Sequence, residues 1–294
     1  MPVNDALGTR MKEFYEQVPK TRLTRRTPVA IRLDGKAFHT FTRGFIRPFD
    51  PILMTTMQNT MKYLCENIQG CVFGYTQSDE ITLILIDYQT FNTDAWFNYE
   101  VQKMCSISAS MATLAFNKYF PLAIRDKQAY ITIRDFFKSE NDKKTSIEET
   151  YKKALDRGAM FDSRCFNIPK EEVANLIYWR QLDASRNSIQ MVGQANFSQA
   201  ELEGKSCNDI QDMLMTQKGI NWNDFPTYCK RGSCCIRVPG EPIITETVSN
   251  DSWSEDVYKK VSRYWNWQID LDIPIFKGED RNYIEQFIYV GEGL

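Results

Sequence analysis

The sequence predicts an α+β protein built around one antiparallel sheet. Three observations support this prediction. Short β-rich runs end in polar tips, longer stretches between them repeat apolar residues at helical spacing, and the 294-residue chain is 43% hydrophobic and 25% charged. These proportions are typical of a globular chain with one large domain or two small ones. The predicted order of strand, helix, strand, strand, helix and strand is the ferredoxin-like βαββαβ pattern.

The first strand and the first core helix have clear signals. The β-rich run over 29–33 predicts a strand, which ends in Asp34-Gly35. Asp50-Pro51 then predicts a helix start, because aspartate is a capping residue and proline is favoured at the first helical position. Apolar residues follow at helical spacing and predict the core face of this helix; they are Leu53, Met57, Met61, Leu64 and Ile68.

A hairpin and a second long helix come next. Over 71–86, two β-rich runs flank the polar tip Ser78-Asp79-Glu80, which predicts a hairpin. We expect a helix from Trp96 to Tyr119, where apolar residues recur among small ones that permit close packing. A further apolar strand near 164–168 completes the βαββαβ order.

The remaining segments predict additions to this core. We expect residues 1–194 to form the core domain, with an insertion at about 121–158 that contains a strand over 129–133. Residues 195–294 are expected to form a helical appendage and a C-terminal extension packed on the core. Within that extension, residues 241–252 have the composition of a linker.

Composition excludes several classes of protein. No run of about 18 apolar residues predicts a membrane span, and the first ten residues lack the apolar region of a signal peptide, so we expect a cytoplasmic protein. The eight cysteines show no Cys-x-x-Cys pair, and the single histidine, His39, excludes a histidine-rich metal site. The net charge of −2 does not exclude RNA binding, which needs only a local basic strip.

Two carboxylates at strand ends are the strongest functional signal. Asp34 ends the first strand and Asp79 lies at the tip of the hairpin. If the strands are neighbours, both acids project from one edge, where Mg²⁺ is commonly held by one or two carboxylates and substrate phosphates. This is the layout of nucleotidyl transfer by two metal ions. The alternative is ordinary turn chemistry, because Asp-Gly and Ser-Asp-Glu are both common in turns.

Several motifs, in order over roughly residues 5–240, resemble the tRNA-His guanylyltransferase family of 3′-to-5′ nucleotide-adding enzymes. The motifs are Arg32-Leu33-Asp34-Gly35-Lys36-Ala37-Phe38-His39-x-Phe41, Arg47-Pro48-Phe49-Asp50, Tyr75-x-Gln77-Ser78-Asp79-Glu80, Trp96-Phe97 with Lys103, Phe161-Asp162-Ser163-Arg164, Trp179-Arg180-Gln181-x-Asp183 and Lys230-Arg231-Gly232. Ser163 stands where the family usually has glycine. The resemblance implies a polymerase-palm core that works in the reverse direction.

One departure from the family pattern bears on the substrate. Enzymes that add G to tRNA-His continue the Trp-Arg-Gln block into His-Ile-Asn-Asn, whereas here the stretch 184–189 retains only Asn187 of these polar residues. The chain therefore resembles the guanylyltransferase-like branch, which repairs tRNA 5′ ends by adding the nucleotide that pairs with the opposite strand. Strict addition of G(−1) to tRNA-His is the alternative.

The resemblance also implies roles for individual residues. It implies that Asp34 and Asp79 are catalytic and bind two Mg²⁺ ions together with the Gly35 carbonyl. Nucleotide contacts are expected from Arg32, Lys36, Phe38, His39, Arg47, Ser78, Glu80 and Lys103, and RNA contacts from Arg164, Arg180, Asn187, Lys230 and Arg231. We expect the side chain of Glu80 to point to the face opposite the site formed by Asp34 and Asp79, because neighbouring strand residues alternate.

The implied reaction has two steps. ATP or GTP first activates the 5′-monophosphate of tRNA by transferring a nucleoside monophosphate and releasing pyrophosphate. The 3′-hydroxyl of an incoming NTP then attacks the activated 5′-phosphate and expels the nucleoside monophosphate (AMP when ATP is the activator). The family resemblance further implies a homotetramer.

Two other classes remain open at this point. A nucleotide cyclase or an ordinary polymerase also uses a palm with two acids, although Thr76-Gln77-Ser78-Asp79-Glu80 is not the Gly-Gly-Asp/Glu-Glu-Phe of diguanylate cyclases. A non-catalytic RNA-binding protein could also keep the palm as a scaffold. The presence of both Asp34 and Asp79 argues against a scaffold, because a degenerate site tends to lose a carboxylate.

Overall fold

The computed structural model describes residues 6–126, 144–240, 243–248, 258–262 and 265–290. The helices are α1 (Ala6–Met11, continued by a π-helical turn over Lys12–Glu16), α2 (Phe38–Phe41), α3 (Pro51–Asn67), α4 (Val101–Arg125), α5 (Lys144–Arg157), α6 (Lys170–Asn196), α7 (Gln199–Leu202), α8 (Cys207–Lys218), α9 (Thr227–Arg231) and α10 (Asn282–Glu285). The strands are β1 (Val29–Gly35), β2 (Cys71–Gln77), β3 (Glu80–Leu85), β4 (Phe161–Asn167), β5 (Ser233–Pro239), β6 (Ile243–Val248), β7 (Tyr258–Ser262) and β8 (Trp265–Asp270). Short 3₁₀ turns cover Trp96–Tyr99, Trp222–Asp224 and Gly278–Arg281.

The main sheet has six antiparallel strands in the order β4-β1-β3-β2-β5-β8. Its first four strands have the order and directions of a ferredoxin-like core, because α3 connects β1 to β2 and α4 connects β3 to β4. The predicted α+β class is therefore confirmed. Strands β5 and β8 extend this sheet from the C-terminal part of the chain, and β6 pairs with β7 in a separate ribbon.

The two faces of the sheet carry different helices. Val29, Ile31 and Leu33 of β1 are buried in a core with α3 and α4. Ala30 lies on the opposite face, in a second core with α6 and the C-terminal segment. Because strand residues alternate between faces, Arg32 and Asp34 belong to the face covered by α6. The acidic edge therefore opens on the side of the sheet away from the two core helices.

The C-terminal half of α6 supports the helical appendage. Ile189 and Val192 of α6 pack with Ile210 and Leu214 of α8 in a third apolar cluster. The expected division near residue 194 falls in the last turn of α6, and β5 and β8 join the main sheet from beyond it. The division into domains stays a prediction.

The second core helix differs from its prediction at both ends. It begins at Val101 rather than Trp96, because Phe97 and Asn98 adopt left-handed conformations (φ 50° and 51°) in the preceding turn. It also continues past Tyr119, through Pro121, to Arg125. Since Phe120 and Ala123 are buried on either side of the proline, packing outweighs its poor helix propensity.

Other sequence-based expectations meet mixed outcomes. The hairpin and the helix start at Asp50 are confirmed, and all eight cysteines are free thiols. The linker expected over 241–252 is wrong for Ile243–Val248, a β-branched run that pairs with Tyr258–Ser262. The strand expected over 129–133 lies outside the described residues. Within the described ranges, no helix is long and apolar enough to cross a lipid bilayer.

Candidate functional site

The expected acids meet at one end of the central strands. Asp34 of β1 lies directly opposite Glu80, the first residue of β3, and Asp79 occupies the turn that precedes it. The backbone N–H of Gly35 donates to the carbonyl oxygen of Asp79 over 3.1 Å, which ties the end of β1 to this turn. The structure thus brings Asp34, Gly35 and Asp79 together.

The surroundings of Asp79 disfavour its negative charge. Burial raises the pKa of the Asp79 carboxyl, and the charge of Asp34 raises it further. The hydroxyl of Ser78 donates to Asp79 Oδ1 over 3.0 Å and opposes this shift. A bound cation would remove both causes of the shift, because it would replace lost solvation and screen the two carboxylates from each other.

This pair of acids fits a magnesium site. In the described parts of the chain, no three acidic, cysteine or histidine side chains form a ready-made metal cage. Mg²⁺ does not need one, because it commonly binds one or two carboxylates and takes its other ligands from water and substrate phosphates. Asp34 and Asp79 supply two carboxylates, and the backbone of Gly35 lies beside them.

Gly35 is required by the packing of Phe38. A Cβ atom at Gly35 would lie 2.3 Å from a carbon of the Phe38 ring. That ring is buried and lies 5.5 Å from Phe116 and 5.3 Å from Phe161, measured between ring centroids. Phe38 was expected to contact the nucleotide, but its ring is part of the core, where it anchors the segment after β1.

Glu80 lies between two arginines. Its Oε2 is 3.4 Å from Arg32 Nε, and its Oε1 is 3.0 Å from Arg180 Nε. These are ion-pair distances without the angles of hydrogen bonds. Burial raises the pKa of Glu80, and the charges of Arg180 and then Arg32 oppose that shift.

The orientation expected for Glu80 is wrong. Residues directly opposite each other in an antiparallel pair project to one face, so Glu80 shares the face of Asp34. The expectation failed because it counted the alternation from Asp79, which lies in the turn and not in the strand. Arg32 also lies on this face, as its ion pair with Glu80 requires.

Two of the residues expected to contact RNA are buried. Arg180 is only 5% exposed, and its Nη2 lies 2.5 Å from Asp183 Oδ2. Lys230 donates from Nζ to the carbonyl oxygen of Asn223 over 2.5 Å and lies over the ring of Trp222. Both cations serve interactions within the chain, because ion-pair and carbonyl partners replace the water they lose. Arg180 and Lys230 are therefore not placed on the surface, where a contact to RNA was expected.

The other expected contacts are accessible. The side chains of Lys36, His39, Arg47 and Lys103 are exposed, as is Ser78, while Asn187 and Arg231 are half-buried. Arg164 is exposed and forms an ion pair with Asp162 over 3.0 Å. Ser163, the residue that replaces the usual glycine, lies with its hydroxyl 2.8 Å from that of Ser108 in α4.

Sequence reasoning assigned no role to two neighbours of Arg180. The Trp179 ring is half-exposed, and the guanidinium carbons of Arg180 and Arg32 lie 4.1 and 5.7 Å from its centroid. Gln181 is buried, donates to the carbonyl oxygen of Pro274 over 2.8 Å and accepts from the N–H of Phe276 over 3.0 Å. The Trp-Arg-Gln motif was the sequence signal for these two residues. It did not reveal their roles, because the residues they contact, such as Arg32 and Pro274, lie far away in the sequence.

A ferredoxin-like sheet with paired carboxylates at one edge is the architecture of a palm-type nucleotidyltransferase. Comparisons with known proteins identify the family. The model of the Thg1 family, the tRNAHis guanylyltransferases, matches residues 8–169. The chain therefore belongs to the tRNAHis guanylyltransferase family, whose members are nucleotidyltransferases, and the family identified from the motifs is confirmed. Membership implies a divalent metal, nucleotide binding and tRNA processing.

Individual relatives cover most of the chain. An uncharacterized protein, R259, of Acanthamoeba polyphaga mimivirus is 28% identical over 84% of this chain and 82% of its own length. The tRNA(His) guanylyltransferase of Saccharomyces cerevisiae is 25% identical over 71% of this chain and 82% of its own.

Solved structures also match. A bacterial tRNA(His) guanylyltransferase-like protein in complex with ATP is 37% identical, covers 97% of this chain and 100% of its own, and has a TM-score of 0.72. A bacterial tRNA(His) guanylyltransferase-like protein in complex with GTP is 36% identical over 97% of this chain and 100% of its own, with a TM-score of 0.70. The Saccharomyces cerevisiae enzyme, 20% identical with a TM-score of 0.57 over 76% of this chain and 91% of its own, shares the fold.

Proposed function

We propose that this protein adds nucleotides in the 3′-to-5′ direction to the 5′ end of tRNA and chooses each by pairing with the opposite strand. The observation that carries this proposal is the meeting of Asp34 and Asp79 at one edge of a palm-like sheet. Over 184–189 only Asn187 remains of the polar residues in the His-Ile-Asn-Asn stretch, which favours repair over addition to tRNA-His alone. The 37% identity to a bacterial guanylyltransferase-like protein supports the same branch.

Each part of the site has a proposed task. Asp34, Asp79 and the Gly35 carbonyl would hold two Mg²⁺ ions, which when bound would activate the attacking hydroxyl and neutralise the triphosphate. Ser78 orients Asp79 through its hydrogen bond. The exposed cations Lys36, Arg47 and Lys103 would contact the triphosphate, since charge develops on its oxygens during phosphoryl transfer.

The remaining contacts and partners are also proposals. His39 is exposed on the short helix α2 after β1 and would contact the nucleotide, while Arg164, Asn187 and Arg231 would contact RNA. ATP and GTP are both proposed as activating nucleotides, since relatives bind each of them. A homotetramer and a cytoplasmic location complete the proposal.

Strict addition of G(−1) to tRNA-His is the second candidate, because curated relatives carry that name. One experiment separates the two. A tRNA that lacks its 5′ nucleotide and carries a 5′-monophosphate is incubated with Mg²⁺, ATP and each labelled NTP in turn, while the opposing base is varied. We expect only the pairing nucleotide to be added, and no addition by Asp79→Ala or in EDTA.

Other outcomes have clear meanings. Untemplated addition of G to tRNA-His alone would replace repair with the narrower activity. Addition of the same nucleotide whatever the opposing base would exclude templating. No addition with any RNA would contradict both candidates.

A further inference from the structure

Trp179 is an aromatic side chain exposed beside the acidic edge. It precedes Arg180, which contacts Glu80, and Glu80 lies directly opposite Asp34. The Trp179 residue remains 51% exposed, although Ile177 and Arg180 of the same helix are buried. Half of a large apolar ring is therefore open to solvent close to the proposed reaction centre.

The ring is held in place by the arginines beneath it. The guanidinium carbon of Arg180 lies 4.1 Å from the ring centroid, and that of Arg32 lies 5.7 Å from it. Both distances are within the range of cation–π contact. Arg180 is itself fixed by Glu80 and Asp183, so the indole rests on a rigid support. Its accessible surface is thereby pre-organised for a flat ligand.

The exposed surface continues along the helix. Leu182 and Arg186 follow Trp179 by three and seven residues, which places all three on one side of α6. Leu182 is 51% exposed, and the side chain of Arg186, although paired with Asp183, is 62% exposed. An aromatic ring followed by a guanidinium along one surface is how proteins bind single-stranded nucleic acid, through base stacking and phosphate contacts.

We propose that Trp179 stacks on an unpaired nucleobase of the bound RNA near its 5′ end, with Arg186 meeting a neighbouring phosphate. The inference rests on the proposed function, because it takes RNA as the substrate at this edge. RNA is favoured over a free NTP because a polymer can reach from Trp179 to Arg186 along the helix, and the exposed cations proposed for the triphosphate lie on other segments.

Fluorescence and RNA binding test the stacking directly. The 5′-truncated tRNA is titrated without NTP into the wild-type protein, Trp179→Phe, Trp179→Leu and Trp179→Ala. We expect Trp179→Ala and Trp179→Leu to bind RNA about 5- to 150-fold more weakly, and Trp179→Phe to retain most of the affinity, because only phenylalanine keeps a ring. RNA should quench the wild-type tryptophan emission, and Trp179→Phe should lose that quenching while it still binds.

The controls separate stacking from packing. Trp265 is 50% exposed and lies on the outer strand β8, at the end of the sheet remote from Asp34 and Glu80, so Trp265→Ala should bind RNA as the wild type does. Wild-type affinity in Trp179→Leu would mean that only apolar bulk over Arg180 matters and would overturn the proposal. Wild-type affinity in Trp179→Ala, or quenching by ATP but not by RNA, would overturn it as well.

The same set distinguishes this inference from the proposed function. RNA-dependent quenching by Trp179 in a protein that adds no nucleotide would support stacking and contradict nucleotide addition. Templated addition by Trp179→Ala with an unchanged KM for RNA would support nucleotide addition and contradict stacking. Melting temperatures of all variants establish that each one folds.

Discussion

At the scale of single residues, three acids at one sheet edge have different surroundings. Burial and the charge of Asp34 disfavour the ionised form of Asp79, and the hydrogen bond that Asp79 accepts from Ser78 only partly opposes them. Glu80, one residue later, lies between the guanidinium groups of Arg32 and Arg180. These contacts suit Asp79 to receive a metal ion and suit Glu80 to hold the arginines in position.

We predict that Asp79→Asn loses nucleotide addition without losing stability. Asparagine keeps an oxygen that accepts from Ser78 but removes the charge that would bind metal, so the single-turnover rate should fall at least about a hundredfold. Because burial and Asp34 raise the pKa of Asp79, the folded state disfavours its charge. The melting temperature in metal-free buffer should therefore stay the same or rise.

The control for this prediction is Asp280→Asn, which changes an exposed acid in a 3₁₀ turn and should alter neither quantity. A rate for Asp79→Asn close to that of the wild type would contradict a metal-binding role for Asp79.

The Glu80–Arg180 pair should show strong energetic coupling. Glu80→Gln leaves Arg180 with Asp183 as its remaining partner, and Arg180→Gln leaves Glu80 with Arg32. Each change alone should cost up to about 3–5 kcal/mol in the free energy of unfolding. The double variant should cost less than the sum, since neither charge remains. Urea denaturation of the four proteins gives the coupling energy.

The half-buried pair Arg281–Glu285 is the comparison, with an expected coupling below about 1 kcal/mol. Additive effects of Glu80→Gln and Arg180→Gln would show that the two side chains do not depend on each other.

At the scale of the elements, Asp50 joins the start of α3 to two other segments. Its Oδ1 accepts from the N–H of Leu53 over 2.9 Å, which caps the helix. Its Oδ2 accepts from the N–H of Ile46 over 2.9 Å and from the hydroxyl of Tyr151 in α5 over 2.7 Å. One carboxylate thus holds together the loop before α3, the first turn of α3 and the helix α5.

The stability contributed by Asp50 should depend on pH. Burial raises the pKa of Asp50 in the folded state, and the hydrogen bonds from Leu53 and Tyr151 only partly oppose it. The folded protein then binds the proton more tightly than the unfolded chain, whose aspartate pKa is about 3.9. The free energy of unfolding of the wild type, relative to Asp50→Asn, should fall as the pH rises from about 4 through the folded-state pKa.

Chemical denaturation of both proteins from pH 4 to 7 measures this difference, and the asparagine variant cancels the contributions of other acids. A difference that grows with pH would mean that the hydrogen bonds, and not burial, dominate at Asp50.

At the scale of the whole molecule, α6 connects the acidic edge to the C-terminal segment. Arg180 reaches Glu80, and the next residue, Gln181, bonds to the backbone of Pro274 and Phe276. Phe276, Ile284 and Ile288 lie in the same core as α6 and the α6-facing side of the sheet. The C-terminal segment therefore packs against α6 and helps to fix the position of Arg180.

We predict that Gln181→Ala loosens this segment. The change leaves the half-buried carbonyl of Pro274 and the buried N–H of Phe276 without the side chain they bond to, and it should lower the free energy of unfolding by about 2–4 kcal/mol, at about 1–3 kcal/mol for each group. Hydrogen exchange over residues 271–290 should become faster than in the wild type.

The control is Gln194→Ala, an exposed position on the same helix. If exchange over 271–290 in Gln181→Ala matched that in this control, the C-terminal segment would be held by its apolar contacts alone.

Much of the core was predictable because it depends on local patterns. The β-rich runs, the cap at Asp50 and the helical spacing from Leu53 to Ile68 are short-range signals, and the structure follows them. The start of α4 was not predictable from local patterns, because three residues with positive φ separate it from Trp96; they are Phe97, Asn98 and Tyr99. Strand β5 could not be predicted in the same way. Its run Ser233-Cys234-Cys235-Ile236 pairs with β2, which lies far away in the sequence.

The amino-acid sequence by itself determined the βαββαβ core, the family and the pair of acids at strand ends, since each depends on residues near one another in the chain. Only the tertiary structure decided which face Glu80 uses, that Arg180 and Lys230 are buried, and that Trp179 is left exposed on its arginine support. Those properties depend on register and on contacts such as Glu80–Arg180 and Gln181–Pro274, which join residues about a hundred positions apart. Local spacing cannot specify them, because burial is set by what packs on a residue from elsewhere in the chain.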